Sequence, residues 1–411
     1  NYGKSTQSEN PLVNLTADRI TTNFTYSKNV TSTNMGPSPN KDQIYNIRNE
    51  SNDYTASLKY DLSPRDNPTW RPFEKTDKKW AERFKRYELA LLPSSFKFNL
   101  ADLNYGKSNY IETEKSVRRT TYRYDLNHGV NLNYSPISPL LSIDYSLSIN
   151  RDLDSRIDST IDSWDKVKMA FKGDSEWKEQ TVLNGEKNRN QQVSISLKSE
   201  LISWLPTDAS YSSSFSSTMV TRLNETKQYA NANVSPKFTF NSSLQLESLL
   251  DKISDTTKLK TIGRFFGYIK KGYNKIGLRT ISFTYSSDMN LRNDYFSEDY
   301  FEKRDIDFWE YFKYQTGFNG RSFSDIITGS MDDNSSLGGM RNRHGVDEEE
   351  FYRNDTRSAD RRYSISTGMN FRAPFEFSIS PITVEWNDRT SLQAKDTNYY
   401  DKSQTLPRIQ I

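Results

Sequence analysis

The apolar residues of this chain recur at every second position over long stretches. Between residues 122 and 134 they occupy the even positions, and polar residues fill most of the odd positions. Residues 141–149 repeat the alternation on odd positions. Because successive side chains of a strand point to opposite faces of its sheet, these stretches predict strands with one apolar and one polar face. Similar runs occur at residues 96–100, 193–197, 281–285, 363–371, 375–379 and 382–386.

The length of the predicted strands separates a membrane barrel from a soluble sheet. Soluble strands usually contain about 5–6 residues, whereas tilted strands that cross a bilayer need about 9–11. The two clearest runs span 13 and nine residues. An apolar face toward lipid and a polar face toward a water-filled interior are typical of outer-membrane barrels. The alternation therefore predicts an all-β fold: a segment of an antiparallel transmembrane β-barrel, of about 14–16 strands, in the bacterial outer membrane.

Composition excludes several other classes of protein. Aromatic residues make up 13% of the 411 residues, which argues against disorder. No window approaches the roughly 18 consecutive apolar residues of a transmembrane helix. The chain contains no Cys, so it has no disulfide and no thiolate ligand. A formal net charge of +3 is too balanced for a general nucleic-acid-binding protein, and we expect no nucleic-acid partner.

The connections between predicted strands alternate between long and short. Outer-membrane barrels have long loops outside the cell and short turns on the periplasmic side. Tight turns are predicted at 135–139, near Pro206, near Gly320 and at 373–374. We therefore expect the whole chain, residues 1–411, to belong to one large barrel with long extracellular loops. The longest of these predicted loops are residues 31–51, 151–191, 288–306 and 329–361, and residues 104–118 form a further one.

Two long segments, residues 63–86 and 248–277, fall on the short-turn side and are predicted to be periplasmic insertions. The first is rich in Pro and Trp and has eight cations and four anions, a net charge of +4. The second has apolar residues three or four apart, with seven cations and two anions, a net charge of +5. Its spacing predicts an amphipathic helix that lies at the membrane interface or binds a partner. Alternatively, both segments are elaborated turns whose cations lie near lipid phosphates.

Two loops are acidic. Residues 329–361 contain more acidic than basic residues, including the run from Asp347 to Glu350, and predict an exposed, flexible loop. Five Asp residues between 152 and 165 raise the possibility of a Ca²⁺ site, because Ca²⁺ prefers carboxylate oxygens. However, the spacing and the turn glycine of an EF-hand are missing. We expect a solvated loop there, and no metal or cofactor.

The sequence gives little support for catalysis. Its two His residues, His128 and His344, are far apart in the chain. The HExxH, GxSxG, Walker A and GxGxxG patterns are missing. His128 falls among the apolar positions of its predicted strand, which favours packing over metal binding. The sequence therefore predicts a protein that is not an enzyme and that has no catalytic, cofactor-binding or metal-binding residues.

One stretch is similar to a known family. Residues 91–104 read LLPSSFKFNLADLN and follow the Pro-containing basic segment 72–86. This resembles the outer-membrane translocon of the type IX secretion and gliding-motility system (the SprA/Sov family), in which a Leu-x-Pro-Ser-x-x-x-Phe-x-x-x-Leu strand follows such an insertion. Residues 24–27, 54–61, 122–126 and 278–286 are also similar. The resemblance covers most of the chain loosely and residues 20–153 best.

The resemblance implies a very large barrel with a lateral gate, through which folded proteins leave the periplasm. It also implies partner proteins that plug or cap the barrel. We therefore expect a passive, protein-conducting pore whose partners are secreted proteins, plug and cap proteins, and outer-membrane lipid. The start at Asn1 and the alternation at residues 408–411 suggest a fragment of a longer polypeptide. Two alternatives remain: a lipopolysaccharide-assembly (LptD-like) barrel, and a β-rich surface module that binds through its acidic loops.

Overall fold

Twelve strands follow one another in a single antiparallel sheet in the computed structural model of the protein. The structure describes residues 17–35, 45–64, 67–78, 81–112, 117–153, 186–221, 228–256, 280–297, 308–318, 323–328, 356–371, 377–393, 399–404 and 408–410, and the single positions 165, 167 and 268. This arrangement confirms the predicted all-β, antiparallel fold.

The strands of the sheet are long. They are β1 (Ile20–Met35), β2 (Tyr45–Leu62), β3 (Thr69–Trp70), β4 (Glu88–Ala90), β5 (Ser95–Glu112), β6 (Val117–Ser138), β7 (Leu141–Asp152), β8 (Glu186–Ser199), β9 (Thr207–Thr221), β10 (Gln228–Leu244), β11 (Ile281–Ser297), β12 (Thr356–Phe371), β13 (Phe377–Gln393), β14 (Tyr399–Gln404) and β15 (Arg408–Gln410). The helices are α1 (Leu246–Thr256), α2 (Phe308–Gln315) and α3 (Phe323–Thr328), with 3-10 turns at Ala17–Arg19 and Ala81–Phe84.

Each strand pairs with the next one along the chain, except near the short strands. The order across the sheet is β1-β2-β5-β6-β7-β8-β9-β10-β11-β12-β13-β14. Short strand β4 pairs with β6 beyond the end of β5, and β3 pairs with β4. Strand β15 pairs with the edge of β13 that β14 also uses. The described residues form 15 strands, within the predicted range of about 14–16, but three of these strands contain only two or three residues.

The register keeps apolar side chains on one side of the sheet, here called the apolar face. For example, Leu132 lies opposite Tyr145, which in turn lies opposite Val193. The intervening residues form the polar face, where Asn131 lies opposite Ser146. Bulges keep this division where the sequence changes parity. Thr367 and Met369 of β12 are two residues apart, but their partners in β13, Ile382 and Ile379, are three residues apart. This extra residue in β13 explains why its apolar residues occupy odd positions before the bulge and even positions after it.

Neighbouring strands are strongly staggered. A row of directly opposed residues starts at Ile20, the first residue of β1, and crosses ten strand pairs to reach Leu392 in β13. Leu392 lies 15 residues from Phe377, where β13 begins. A shift of 15 residues over ten strand pairs is a stagger of about 1.5 residues, or about 5 Å, from each strand to the next. Neighbouring strands are about 4.8 Å apart. A stagger of this size corresponds to strands tilted by about 45°.

The predicted loops were too long. Strands take in residues 31–35, 45–51, 104–112, 117–118, 151–152, 186–191, 288–297 and 356–361, all of which were assigned to loops. In these stretches the apolar alternation fades, yet the backbone pairing continues, as between Val30 and Glu50. Strand pairing needs backbone groups and a neighbour, not an apolar face, so sequence alternation alone underestimates strand length. The remaining parts of these loops lie outside the described residues.

A tight turn between two strands was predicted near Gly320, but the described residues on either side of it are helical. Residues 308–315 and 323–328 form the helices α2 and α3, while Gly320 itself lies outside the described residues. Aromatic residues at positions 308 and 312 are four apart, a spacing that fits a helix as well as a strand. The helical insertion is confirmed over its first part, since Leu249 and Ile253 belong to α1. Of the rest of 248–277, only position 268 is described. No helix in the described ranges is long and apolar enough to cross a membrane.

Candidate functional site: the two faces of the sheet

A groove of about 460 Å³ lies on the polar face, across β5, β6, β7, β8 and β9. Its walls are mainly the amides and hydroxyls of five adjacent strands. Gly129 lies at its floor, where an added Cβ would meet the carbonyl oxygen of Leu147 at 2.5 Å, so glycine lets β6 and β7 approach closely. The polar side chains that line the groove are Asn99, Asn127, Asn131, Ser146, Ser148, Asn190, Gln192, Ser214 and Ser216.

The groove belongs to a wider surface without charge, here called the neutral lane. It consists of ten polar-face residues of β8 and β9, all Ser, Thr, Asn or Gln, in five opposed pairs, and the next pair toward the turn end, Lys198 and Asp208, is charged. The ten residues are Asn188, Asn190, Gln192, Ser194, Ser196, Ser210, Ser212, Ser214, Ser216 and Thr218. Strand β7 extends the same chemistry in part, since Ser142 Oγ lies 2.6 Å from Ser196 Oγ, whereas Asp144 lies directly opposite Ser194. Side chains of these types both donate and accept hydrogen bonds.

Several charges on the rest of the polar face form pairs of opposite sign. Lys97 Nζ lies 3.5 Å from an Asp61 carboxylate oxygen. Lys237 Nζ lies 3.1 Å from Asp288 on the adjacent strand. Two further pairs, Arg123–Asp125 at 3.2 Å and Arg362–Asp360 at 3.0 Å, each lie within one strand. Each of these cations has an anion within 4 Å, whereas Asp144, which lies beside the neutral lane, accepts a hydrogen bond from the neutral side chain of Asn133.

The apolar face carries a row of neighbouring aromatic rings, in tilted and edge-to-face contact, on β1, β2, β5 and β6. The ring centroids of Tyr26 and Tyr54 are 4.7 Å apart, and those of Tyr54 and Tyr105 are 6.1 Å apart. Tyr105 continues to Tyr124 at 5.9 Å. These residues are directly opposed in register, and Tyr26 is half exposed. Toward the loops, the next opposed positions on this face carry Lys28 with Asn52 and Lys107 with Tyr122.

A second aromatic row lies on β11, β12 and β13. Tyr285 and Tyr363 are 4.9 Å apart, and Tyr363 stacks on Trp386 at 5.0 Å with an interplanar angle of 7°. Toward the loops, the next pair on this face is Arg361 and Asp388, whose charged groups are 3.5 Å apart. Both aromatic rows therefore mark the edge at which the apolar face becomes charged.

Two buried charged residues, Arg151 and Glu186, and the partly buried Arg189 lie together on the apolar face at the loop end of β7 and β8. Glu186, which is 2% exposed, receives a hydrogen bond from Arg151 Nη2 at 3.1 Å. Arg189 donates two more to the same carboxylate, at 2.5 and 3.0 Å. Beside them, Leu153 packs with Leu126 and Val167 in a small buried cluster. Such a charge cluster needs a protein or water environment, so this end of the apolar face is unsuited to hydrocarbon.

Helices α2 and α3 pack on the apolar face of β9, β10 and β11, and we call residues 308–318 and 323–328 the helical strap. The hydroxyl of Tyr211 donates to the carbonyl oxygen of Thr316, and that of Tyr285 donates to the carbonyl oxygen of Ile327. Gly317, at φ +79°, fits against Pro236, and Ile326 is fully buried. The strap therefore covers part of the face that the sequence predicts to be uniformly exposed to lipid.

The segment that connects β2 to β5 forms a small folded platform at the turn end of the sheet. Its strand β4 continues the ladder of β6, and Tyr134 Oη donates to the carbonyl oxygen of Ala90 at 3.0 Å. Arg86 Nη1 lies 2.6 Å from Glu200, which follows β8. The hydrogen bond between Arg86 and Tyr87 Oη, more than the contact with Glu200, raises the pKa of the Arg86 guanidinium. The platform includes most of the basic segment 63–86, with Lys75 and Lys78 exposed.

The residues considered as possible ligands are not brought together by the described structure. His128 lies half buried on the apolar face of β6, opposite Ile149. Asp154, Asp158, Asp162, His344 and the acidic run 347–350 lie outside the described residues. Within the described ranges there is no group of three or more His, Asp or Glu residues that could hold a metal ion.

The neutral lane was not predicted from the sequence. Its signal is nevertheless visible in the sequence, because every second residue of 188–196 and of 210–218 is Ser, Thr, Asn or Gln.

No protein-family model matches the chain, and no curated protein sequence matches it significantly.

Proposed function

We propose that this chain forms part of the wall of a bacterial outer-membrane β-barrel, with the apolar face toward lipid and the polar face toward the lumen. The observation that carries the proposal is the division of long, strongly staggered strands into two faces of opposite polarity. A tilt of about 45° is typical of transmembrane barrels. All backbone groups of a spanning segment must be paired within the protein, and an antiparallel ladder meets this requirement.

The height of the apolar band fits a bilayer. On β7 the band runs from Leu141 to Ile149, and Arg151 ends it. On β6 the apolar residues run from Tyr124 to Tyr134, although Leu126 lies opposite Arg151 and is buried in the cluster with Leu153. Nine to eleven tilted residues span about 20–25 Å, and outer-membrane barrels present an apolar band about 25 Å tall between aromatic girdles. The two aromatic rows, each followed by charged residues on the loop side, fit the aromatic girdle at one edge of such a band.

Pairing at the edges of the sheet is a condition of the proposal. Within the described residues, the outer edge of β1 and the outer edges of β14 and β15 have no partner strand. Unpaired backbone groups in hydrocarbon are very costly. In the membrane these edges therefore pair with each other or with further strands.

We further propose that the barrel is the passive, protein-conducting pore of a type IX secretion and gliding-motility translocon. The similarity of residues 91–104 and of the basic segment before them supports this assignment. So does the polar face, because a lumen that passes proteins needs a hydrated wall without strong binding sites. Plug and cap proteins would control access, and the energy for transport would come from elsewhere.

A pair of cysteine variants tests the membrane assignment. The chain contains no Cys, so Phe24→Cys and Thr25→Cys each introduce a single thiol. Both side chains are exposed in the sheet, Phe24 by 66%, and they lie on opposite faces of β1. In outer-membrane vesicles we expect a charged, membrane-impermeant maleimide to label Thr25→Cys at least tenfold faster. Equal labelling of both thiols would overturn the barrel and favour a soluble or surface module.

Depletion of the protein tests the type of transport. We expect depletion to trap secreted proteins in the periplasm while lipopolysaccharide still reaches the cell surface. Loss of surface lipopolysaccharide with normal protein secretion would overturn the translocon and favour the lipopolysaccharide-assembly barrel. Neither outcome of the depletion experiment changes the expected labelling of the two cysteine variants. The barrel and the cargo that it transports are therefore tested separately.

A further inference from the structure

We infer that the neutral lane is a low-adhesion track along which polypeptides of either charge pass without electrostatic capture. This inference rests on the proposed barrel and specifies the cargo of its lumen. The lane lies on the face proposed to line that lumen. It extends over ten side chains, and from Asn188 to Ser196 it measures about 26 Å along the strand.

The chemistry of the lane disfavours tight binding. Ligand pockets are usually apolar, with a few polar groups that fix orientation. The lane has the opposite character, because its exposed groups are uncharged amides and hydroxyls. Each of them hydrogen-bonds water about as well as it would bind a passing peptide group, so the net gain from a contact is small.

The surrounding charges support the same conclusion. A lumen lined by one sign of charge would hold cargo of the other sign and repel cargo of its own. Here the ten residues of the lane carry no charge, and the adjacent Lys237 is paired with Asp288, while Asp144 on the other side places a single negative charge beside the lane. Neither sign of charge therefore lines the lane, and the cargo class that fits it is polypeptide of unrestricted net charge.

Charge placed in the lane tests this inference. The intact protein would be reconstituted in planar phosphatidylcholine bilayers, with oligolysine and oligoglutamate peptides as probes. The variants are Ser214→Glu/Ser216→Glu and Ser214→Lys/Ser216→Lys, at two exposed positions in the groove. We expect the acidic variant to lengthen oligolysine blockades roughly two- to tenfold, and the basic variant to do the same for oligoglutamate. At 1 M salt the Debye length falls to about 3 Å, and the effect should disappear.

A neutral double variant, Ser214→Asn/Ser216→Asn, controls for side-chain size and should leave the dwell times of both peptides unchanged. Unchanged dwell times in both charged variants would overturn the inference, and so would equal lengthening in the neutral variant. Failure of the proposed barrel has a different signature. If the polar face contacted lipid, the charged variants would not insert and would give no channel current, while Phe24→Cys and Thr25→Cys would not show the expected difference in labelling.

Discussion

The ring of Tyr363 lies flat on that of Trp386, 5.0 Å away, and the next residue pair on the same face is the ion pair Arg361–Asp388. The change from aromatic to charged thus occurs within a single step of the ladder. On β1, β2 and β5 the same change follows the row of Tyr26, Tyr54 and Tyr105, whose rings are in tilted contact. Rings of Tyr and Trp favour the membrane interface, where one part of the ring is apolar and the other is hydrated.

Truncation of Trp386 should weaken this edge of the band. Trp386→Ala removes the stacked ring, and we expect the free energy of unfolding to fall by about 1–3 kcal/mol. Trp386→Phe keeps an aromatic ring and should lose less than half as much. Urea unfolding in lipid vesicles, followed by the gel mobility of the folded and unfolded forms, would measure both. Equal losses for the two variants would show that stacking contributes nothing at this position.

The buried carboxylate of Glu186 should be essential for the stability of the loop end of β7 and β8. Glu186→Gln leaves Arg151 and Arg189 close together without a counter-charge, and we expect a loss of about 3–5 kcal/mol. Glu200→Gln is the matched control, because it breaks the exposed pair with Arg86 and should cost less than about 1 kcal/mol. The same urea titration compares them. A small loss for Glu186→Gln would mean that water already screens the cluster.

Gly129 should tolerate no side chain. In Gly129→Ala the new Cβ would meet the carbonyl oxygen of Leu147 at 2.5 Å, and a backbone atom paired in the sheet can move only with its strand. We expect a loss of about 1–3 kcal/mol and a narrower or distorted groove. Gly106→Ala is the control, because its Cβ would meet the flexible carboxylate of Asp53, which can turn away. Comparable losses for both variants would contradict this explanation.

The sequence predicts the sheet well because strand periodicity is a local signal. The runs at residues 122–134 and 141–149 lie within β6 and β7, and their side chains take the expected faces. The strand ends that were predicted to be loops depend on contacts with other strands, which the local sequence does not reveal. The ends of β1 and β2 are held by pairing between Met35 and Tyr45, although few apolar residues mark them. Such pairing depends on a neighbouring strand that alternation does not reveal.

The helical strap could not be predicted for a similar reason. Residues 308–315 contain five aromatic side chains, which favour strands as well as buried helices. Their helical state depends on contacts with distant residues, such as those of Thr316 with Tyr211 and of Ile327 with Tyr285. The buried cluster of Glu186 also depends on distant contacts, since its partner Arg151 lies 35 residues earlier.

Gly317 should control how firmly the strap is held. Its φ of +79° is costly for other residues, and a Cβ would meet Pro236 Cβ at 2.8 Å. In Gly317→Ala we expect the strap to open about five- to thirtyfold more often, which corresponds to about 1–2 kcal/mol. The reporter is Ser213→Cys, a single thiol buried beneath the strap, labelled by N-ethylmaleimide in detergent solution. An unchanged labelling rate would show that Gly317 does not hold the strap.

The exposed cations of the turn-end platform should bind a partner protein. Residues 63–86 carry a net charge of +4, and the fold of the platform presents Lys75 and Lys78 to solvent. Lys75→Glu/Lys78→Glu should lower the amount of partner that co-purifies by at least about threefold, because charge reversal opposes association with an acidic surface. The control reverses two exposed cations at the opposite end of the sheet, Arg118→Glu/Arg119→Glu, and should retain the partner. Both variants should fold normally in the urea titration. Intact co-purification from the platform variant would mean that its cations are merely solvated or lie near lipid phosphates.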